Sequence, residues 1–181
     1  MVADLTLTGG IAATTVADAA AGDADALAHI VGAHHDDMAR IAFVICGDTD
    51  LAQDAVQAAW PLAWKKLGTL RDPERLRPWL MSVAANEARQ LVRRQRRHLV
   101  VEIEVADVGS RRTDPGAEPG LMDLAIALRR LNPEERALLA LRYVAGFDAG
   151  EIGRALGMSA SGVRSKLSRL VSRLRSELDD A

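Results

Sequence analysis

Cysteine occurs once in this chain of 181 residues, at Cys46, so an internal disulfide and a cysteine-rich zinc site are both excluded. Cys46 ends the apolar run Ile41–Cys46 and reads as a buried, inert thiol. Aromatic residues make up only 3% of the chain, and the three Trp residues all fall between Trp60 and Trp79. Aromatic and β-branched runs of the kind that build strands are scarce, whereas Ala, Leu and Arg dominate, which favours helices. No apolar run approaches the length of about 20 residues that spans a bilayer, and no basic segment precedes an apolar one at the N-terminus. The expectation is an all-α, cytoplasmic protein with no membrane insertion.

The net charge of −2 excludes nothing by itself, but its distribution is informative. Residues 64–98 hold ten bases against three acids, and residues 154–175 hold six bases and no acid. Between them, residues 99–120 carry two bases and five acids. Two basic stripes joined by an acidic linker suggest two footprints on one polyanion.

The chain divides accordingly. Residues 1–24 are rich in Ala, Thr and Asp and read as a disordered or loosely helical tail. Residues 25–98 carry three helical patterns. The first begins at Asp25 and breaks at Gly47-Asp48; the second is capped by Asp48 or Asp50 and runs to about Leu67. The third begins near Pro73 or Pro78 and ends near Arg97. Pro61 falls inside the second, where proline removes a backbone bond at about 3 kcal/mol, so a kink or a helix boundary is expected there. Residues 99–120 form a linker. Its opening run, Val100 to Val105, reads as a strand or an extended tether, and Ser110 to Gly120 is rich in Pro and Gly.

Residues 121–181 read as four helices. Leu121 to Leu131 is the first. Asn132-Pro133-Glu134-Glu135 signals the start of the second, with a capping Asn, Pro at the first helical position and acids in the first turn; it should run to about Val144 and stop at Gly146. Asp148 with Glu151 forms a capping-box variant for a short third helix ending at Gly157. Ser159 caps a fourth, which runs to about Leu178. The stretch Asp148 to Leu167 is a helix–turn–helix pattern in which Ile152, Leu156 and Val163 lie inside. The last helix then offers Ser161, Arg164, Ser165, Lys166, Ser168 and Arg169 outward, while Leu167, Leu170 and Leu174 face in. A basic outer face on a helix docked across a shorter one suits a major groove, where Arg and Lys read guanine edges or hold phosphates.

Leu128-Arg-Arg-Leu-Asn-Pro-Glu-Glu-Arg through Leu170 resembles region four of the extracytoplasmic-function sigma factors, a group of the sigma-70 family. The N-terminal half resembles region two of the same family. There Asp48-Thr-Asp-Leu-Ala-Gln-Asp-Ala-Val-Gln matches an acidic helix start followed by an Asp–x–x–Gln pair, and Arg77-Pro-Trp-Leu through Ala-Ala-Asn86 to Arg97 matches a Trp-Leu, Asn and basic-tail pattern. The resemblance covers roughly residues 25–98 and 121–178, in the family's order. It implies two small helical domains on a flexible acidic linker and an alternative sigma factor that directs core RNA polymerase to promoters.

The residue assignments follow from the resemblance. Asp54 and Gln57 would bind the β′ clamp helices of the polymerase. The loop from Lys66 through Arg71 to Arg75 would capture a flipped −10 base, with Asn86 beside its pocket; extracting a base costs a few kcal/mol, so pocket and clamps must supply it. Arg93, Arg94, Arg96 and Arg97 would hold the neighbouring phosphates. Ser161, Arg164, Ser165, Lys166 and Arg169 would read the −35 element. The implied partners are core polymerase, through its β′ clamp helices and β flap, promoter DNA and, as is common in the family, an anti-sigma factor. No cofactor, metal or catalytic residue is implied. Trp60 and Trp64 share a face and suit either stacking on unpaired bases or core packing; the resemblance places Trp64 and Trp79 in the core. Gly162 stands where the family usually has Thr, which puts base reading near it in doubt.

Two rival readings stand beside this one. The C-terminal sixty residues alone permit a stand-alone helix–turn–helix regulator. His34-His35-Asp36-Asp37 suggests a metal site, as in His–Asp phosphohydrolases, but four successive positions diverge around a helix axis and converge poorly on one ion.

Overall fold

The computed structural model describes residues 11–102, 127, 128 and 130–179, with side chains up to Arg96 in the first stretch. It is all-α. The helices are α1 (Ala13–Ala20), α2 (Ala24–Cys46), α3 (Thr49–Lys66), α4 (Leu76–Glu102), α5 (Pro133–Leu139), α6 (Ala149–Leu156) and α7 (Ala160–Asp179). Two 3₁₀ turns, Leu67–Thr69 and Pro73–Arg75, connect α3 to α4. No strand occurs among the described residues.

The first module is α2, α3 and α4 packed on one another. Asp23 caps α2 by accepting from the Ala26 amide at 2.8 Å, and Asp48 caps α3 by accepting from the Leu51 amide at 2.9 Å. Ala52, Ala55, Ala59 and Ala63 line the inner face of α3, and Ala84, Ala85 and Ala88 that of α4. Such short side chains let helix axes approach closely, and the bulk comes from Ile30, Met38, Ile41, Ile45, Leu80 and Met81, all fully buried. Each of these large side chains contributes about 1.5–3 kcal/mol of burial.

The second module builds from its caps. Asn132 and Glu135 form a reciprocal capping box at α5, and Asp148 and Glu151 form another at α6. The Glu151 amide holds the Asp148 carboxyl below the usual carboxylate range. Gly157 takes the left-handed conformation (φ 70°) between α6 and α7, and Ser159 Oγ accepts from the Gly162 amide at 3.1 Å. Val163, Leu170 and Leu174 are buried on α7 and Ile152 on α6.

The modules share one apolar core. Ala137, Leu138, Leu141, Phe147, Ile152 and Val163 belong to the same cluster as Ile30, Ile41, Leu80 and Ala84. The seam is pinned by Arg136, the only buried charged residue among those described. Its Nε donates to the Leu131 carbonyl at 3.3 Å and its Nη1 to the Cys46 carbonyl at 3.1 Å, at the C-terminus of α2. A cation there meets the negative end of the helix dipole, although burial lowers its pKa below the ordinary arginine value. Gly47, with φ 70°, ends α2; a Cβ there would sit 3.0 Å from Arg136 Nη1. Cys46 is buried, as its run implied, and burial pushes its thiol pKa up to about 12.

Several local expectations change. Residues 13–20 are not a loose tail: α1 buries Val16 and Ala19 and packs on α2 and on both 3₁₀ turns. Helix α3 passes through Pro61 without ending, because its small inner face is held between α2 and α4 on both sides of the proline. Helix α4 continues past Arg97 to Glu102, so the start of the presumed strand or tether, Val100 and Val101, is helical. The remainder of the linker, residues 103–120, lies outside the described residues. The helix expected to reach Val144 turns instead into a π turn at Ala140–Val144, in which the Ala145 amide donates to the Ala140 carbonyl at 3.0 Å. That turn leaves Tyr143 exposed and brings Phe147 inward.

Two substitutions test this framework. Arg136→Met should lower the unfolding free energy by about 2 kcal/mol in a denaturant titration, the value of hydrogen bonds from a charged group, and Arg136→Lys should not restore it because one ammonium cannot span both carbonyls. A loss below about 0.5 kcal/mol, the scatter of ordinary surface changes, would contradict the seam. Gly153→Ala would ordinarily favour a helix by up to about 1 kcal/mol. Here its Cβ would lie 2.5 Å from the Met158 backbone oxygen, so the expected outcome is a loss of about 1–3 kcal/mol. A stabilised variant would contradict the close α6–α7 turn.

Candidate nucleic-acid interface

Helix α7 presents the outer face expected of it. Ser161, Arg164, Ser165, Lys166, Ser168 and Arg169 are all exposed, and Leu167 is half-buried beneath them. Ser161 Oγ lies 3.2 Å from Ser159 Oγ, and Arg169 Nε donates to the Ser165 carbonyl at 3.3 Å. The packing also shows cations that the sequence reading did not single out. Arg142 and Arg175 flank Arg164 along one groove with Tyr143, and Arg154 on α6 is exposed. Arg142 could have been found only by knowing that the π turn swings its segment beside α7.

The residues assigned to strand capture come together at the junction of α3, α4 and the connecting turns. Lys66, Arg75 and Asn86 line one cleft of about 410 Å³ with Leu70, Trp79 and Val83. Arg71 is exposed on the turn outside this lining, and Arg75 pairs with Asp72 at 3.4 Å. Arg94 and Arg96 are exposed on the basic end of α4; Arg94 Nη2 donates to Gln90 Oε1 at 3.3 Å. The side chain of Arg97 lies outside the described residues. Arg93 is ion-paired to Glu134 of α5, and Arg89 reaches the same carboxylate at 3.5 Å. Arg89 belongs to this face: it stands one turn after Asn86 and one turn before Arg93, a spacing that sequence inspection alone could have used.

The far wall of the cleft comes from the second module. Phe147, Glu151, Arg154 and Ala155 close it, and Asn86 donates from Nδ2 to the Ala155 carbonyl at 3.3 Å. Asn86 Oδ1 in turn accepts from Arg89 Nη1 at 2.9 Å.

On α3, Asp54 and Gln57 are exposed side by side, and Trp64, two turns beyond Gln57, is exposed on the same face; Leu62 is exposed to one side of it. Trp64 is 46% exposed, so its expected core position is corrected: Ala63 takes the inward place, and Trp64 follows it to the outside. Trp79 does pack against the core, and Trp60 is half-buried with its Nε1 donating to His35 Nδ1 at 3.3 Å. The His34–Asp37 segment is used structurally. Asp37 pairs with Arg77 at 2.8 Å and with Arg40 at 3.2 Å, and burial lowers the His34 pKa. No group of three potential metal ligands assembles among the described residues.

Comparison with known proteins agrees with both halves of this description. Residues 30–98 match the family model for sigma-70 region 2, and residues 121–174 match that for sigma-70 region 4. A probable RNA polymerase sigma factor of Xanthomonas campestris, RfaY, is 32% identical over 88% of this chain, which spans 42% of that longer protein. The ECF RNA polymerase sigma factor SigL of Mycobacterium tuberculosis is 30% identical, with 91% of this chain and 96% of SigL covered. Among solved structures, that of CnrH in complex with the cytosolic domain of CnrY superposes with a TM-score of 0.65 at 25% identity, covering 92% of this chain and 96% of CnrH. With region 2 and region 4 in order on one chain, and a relative matched nearly end to end, this protein belongs to the sigma-70 family, in its extracytoplasmic-function group.

Proposed function

We propose that this chain is an alternative sigma factor that binds core RNA polymerase and directs it to a two-part promoter. The observation that carries the reading is the presence of two unlike basic surfaces on one chain. One is the outer face of a helix–turn–helix helix; the other is a helix stripe that ends at a cleft able to hold a base. A stand-alone regulator needs only the first and leaves residues 30–98 without a purpose.

In this reading Arg164, Lys166 and Arg169, with Ser161 and Ser165, enter the major groove of the −35 element. The absent side chain at Gly162 leaves base reading to its neighbours, and the phosphates position the helix. Lys66, Arg71 and Arg75 guide the non-template strand toward the Asn86 cleft, where Trp79 supplies an apolar wall for an unstacked base. Arg93, Arg94, Arg96 and Arg97, with Arg89, neutralise the phosphates beside it. Asp54 and Gln57 dock on the β′ clamp helices, and exposed Trp64, two turns beyond Gln57, adds apolar area to that contact. Region 4 meets the β flap. The polymerase performs the chemistry, and no residue of this chain is catalytic. The chain works where the polymerase is, in the cytoplasm; no described helix is long and apolar enough to cross a membrane. CnrH was solved holding a second protein, and an anti-sigma factor is the corresponding partner class here.

Transcription in vitro with core polymerase tests the reading. Asp54→Ala should weaken holoenzyme assembly, whereas Arg164→Ala should preserve assembly and reduce promoter-specific initiation about tenfold, the value of one good base contact. A chain that never co-elutes with core polymerase, or leaves its start sites unchanged, would overturn it.

A further inference from the structure

Helix α1 has no part in the assignments made so far, and it lies ahead of residues 30–98, the segment matched to sigma-70 region 2. It nevertheless buries Val16 and Ala19, which stand three residues apart on one face. Ile11, just before the helix, packs against the same apolar cluster. The junction with α2 is bonded from both sides. The Asp23 amide donates back to the Asp18 carbonyl of α1 at 3.0 Å, and the Asp23 carboxylate caps α2. Tied in this way to the first long helix, α1 packs against the Leu67–Thr69 and Pro73–Arg75 turns.

Those turns gain from an outside support because their hydrogen bonds are local. The Leu70 amide donates to the Leu67 carbonyl at 3.0 Å, and Thr69 Oγ1 donates to the Lys66 carbonyl at 2.7 Å. The Arg75 amide donates to the Asp72 carbonyl at 3.0 Å, and the Glu74 amide to Asp72 Oδ1 at 3.1 Å. Such bonds shape each turn without fixing where it sits, and short 3₁₀ pieces have poorer bond geometry than an α-helix. Packing fixes their place: Leu67 is buried and Leu70 half-buried in the cluster that contains Val16 and Ala19. Leu70 and Arg75 also line the Asn86 cleft, beside Lys66 at the end of α3. One segment, residues 67–75, therefore rests on α1 and forms part of the cleft.

We propose that α1 positions the strand-capture segment: through Val16, the larger of the two side chains it buries, it holds residues 67–75 where Leu70 and Arg75 complete the Asn86 cleft. The ligand is the one given by the sigma-factor reading, on which the proposal rests; a role for residues 13–20 is what it adds. Val16 is a positioning residue and touches no DNA. When the turns form the cleft for only a fraction of the time, apparent affinity for the strand falls by that fraction.

The test uses the full chain carrying Val16→Ser, with Ala17→Ser, on the exposed face of the same helix, as the control. Hydrogen exchange of the free chain is read first. In Val16→Ser the bonded amides of Leu70, Glu74 and Arg75 should exchange about fivefold faster or more, while the interior amides of α3 and α4 keep their protection. The second readout is initiation by the holoenzyme at a promoter used by the parent. On duplex DNA, Val16→Ser should lower initiation about fivefold or more. On the same promoter mispaired across its −10 element the loss should shrink to within about twofold, because the bases are already unpaired. Co-elution with core polymerase should be unchanged, and Ala17→Ser should match the parent throughout. Circular dichroism establishes that each variant is folded, and Val16→Ala, a smaller cut, replaces the serine variant if that one is not. Unchanged exchange at Leu70, Glu74 and Arg75 would overturn the proposal. So would an equal loss on duplex and mispaired promoters, or a loss of co-elution as large as the loss of initiation. A parent holoenzyme that initiates nowhere would remove the sigma-factor reading, while the exchange comparison still decides whether α1 holds the turns.

Discussion

The architecture depends on how the end of α2 is finished. A helix that stops inside a protein leaves carbonyls needing donors, and here the Cys46 carbonyl finds one in the Arg136 guanidinium, delivered from the second module. Gly47 makes room for it by turning left-handed and by lacking a Cβ that would press on Nη1. The bond matters beyond its own energy because it fixes where α5 begins. With Arg136 anchored, Glu134 two residues earlier falls against Arg89 and Arg93, and the chain beyond the π turn brings Ala155 to Asn86. The apolar side chains of α5 and α6 then complete a core that α2, α3 and α4 leave open on one side. The C-terminal end of one helix thus sets the relation of the two modules.

This arrangement also gives the low net charge a physical meaning. A chain of charge −2 is a poor candidate for a polyanion ligand if charge is only summed. Its bases are concentrated on α4 and α7, and the acids of the α5 first turn lie between them. Glu134 pairs with Arg89 and Arg93 and Glu135 with Arg173, whereas Arg94, Arg96, Arg164, Lys166 and Arg169 remain exposed.

Much of the fold was legible because its punctuation is local. Asp48, Asn132, Asp148 and Ser159 each cap the helix they precede, and Gly47 and Gly157 each take the left-handed conformation at a helix end, since these effects depend on a few adjacent residues. The outward face of α7 was legible for the same reason: three- and four-residue spacing separates Val163, Leu170 and Leu174 from Arg164, Lys166 and Arg169. What escaped the sequence reading is tertiary. Val16 and Ala19 give α1 so short an apolar stripe that only the surface of α2 and the 67–75 turns makes it a helix worth forming. Of the kink or helix boundary expected at Pro61, the boundary is absent because packing on both sides carries α3 through. Trp64 was assigned to the core by resemblance, but helical phase gives the inward place to Ala63. Glu134 read as a helix-start acid, which it is; that its carboxylate serves another helix could not be seen before α4 and α5 were side by side.

Hydrogen exchange of the free chain tests the shared core most directly. Amides of α4 and of α6 should open with the same free energy, because both helices close on one apolar cluster. Amides of α6 that exchange freely while those of α4 stay protected would contradict it.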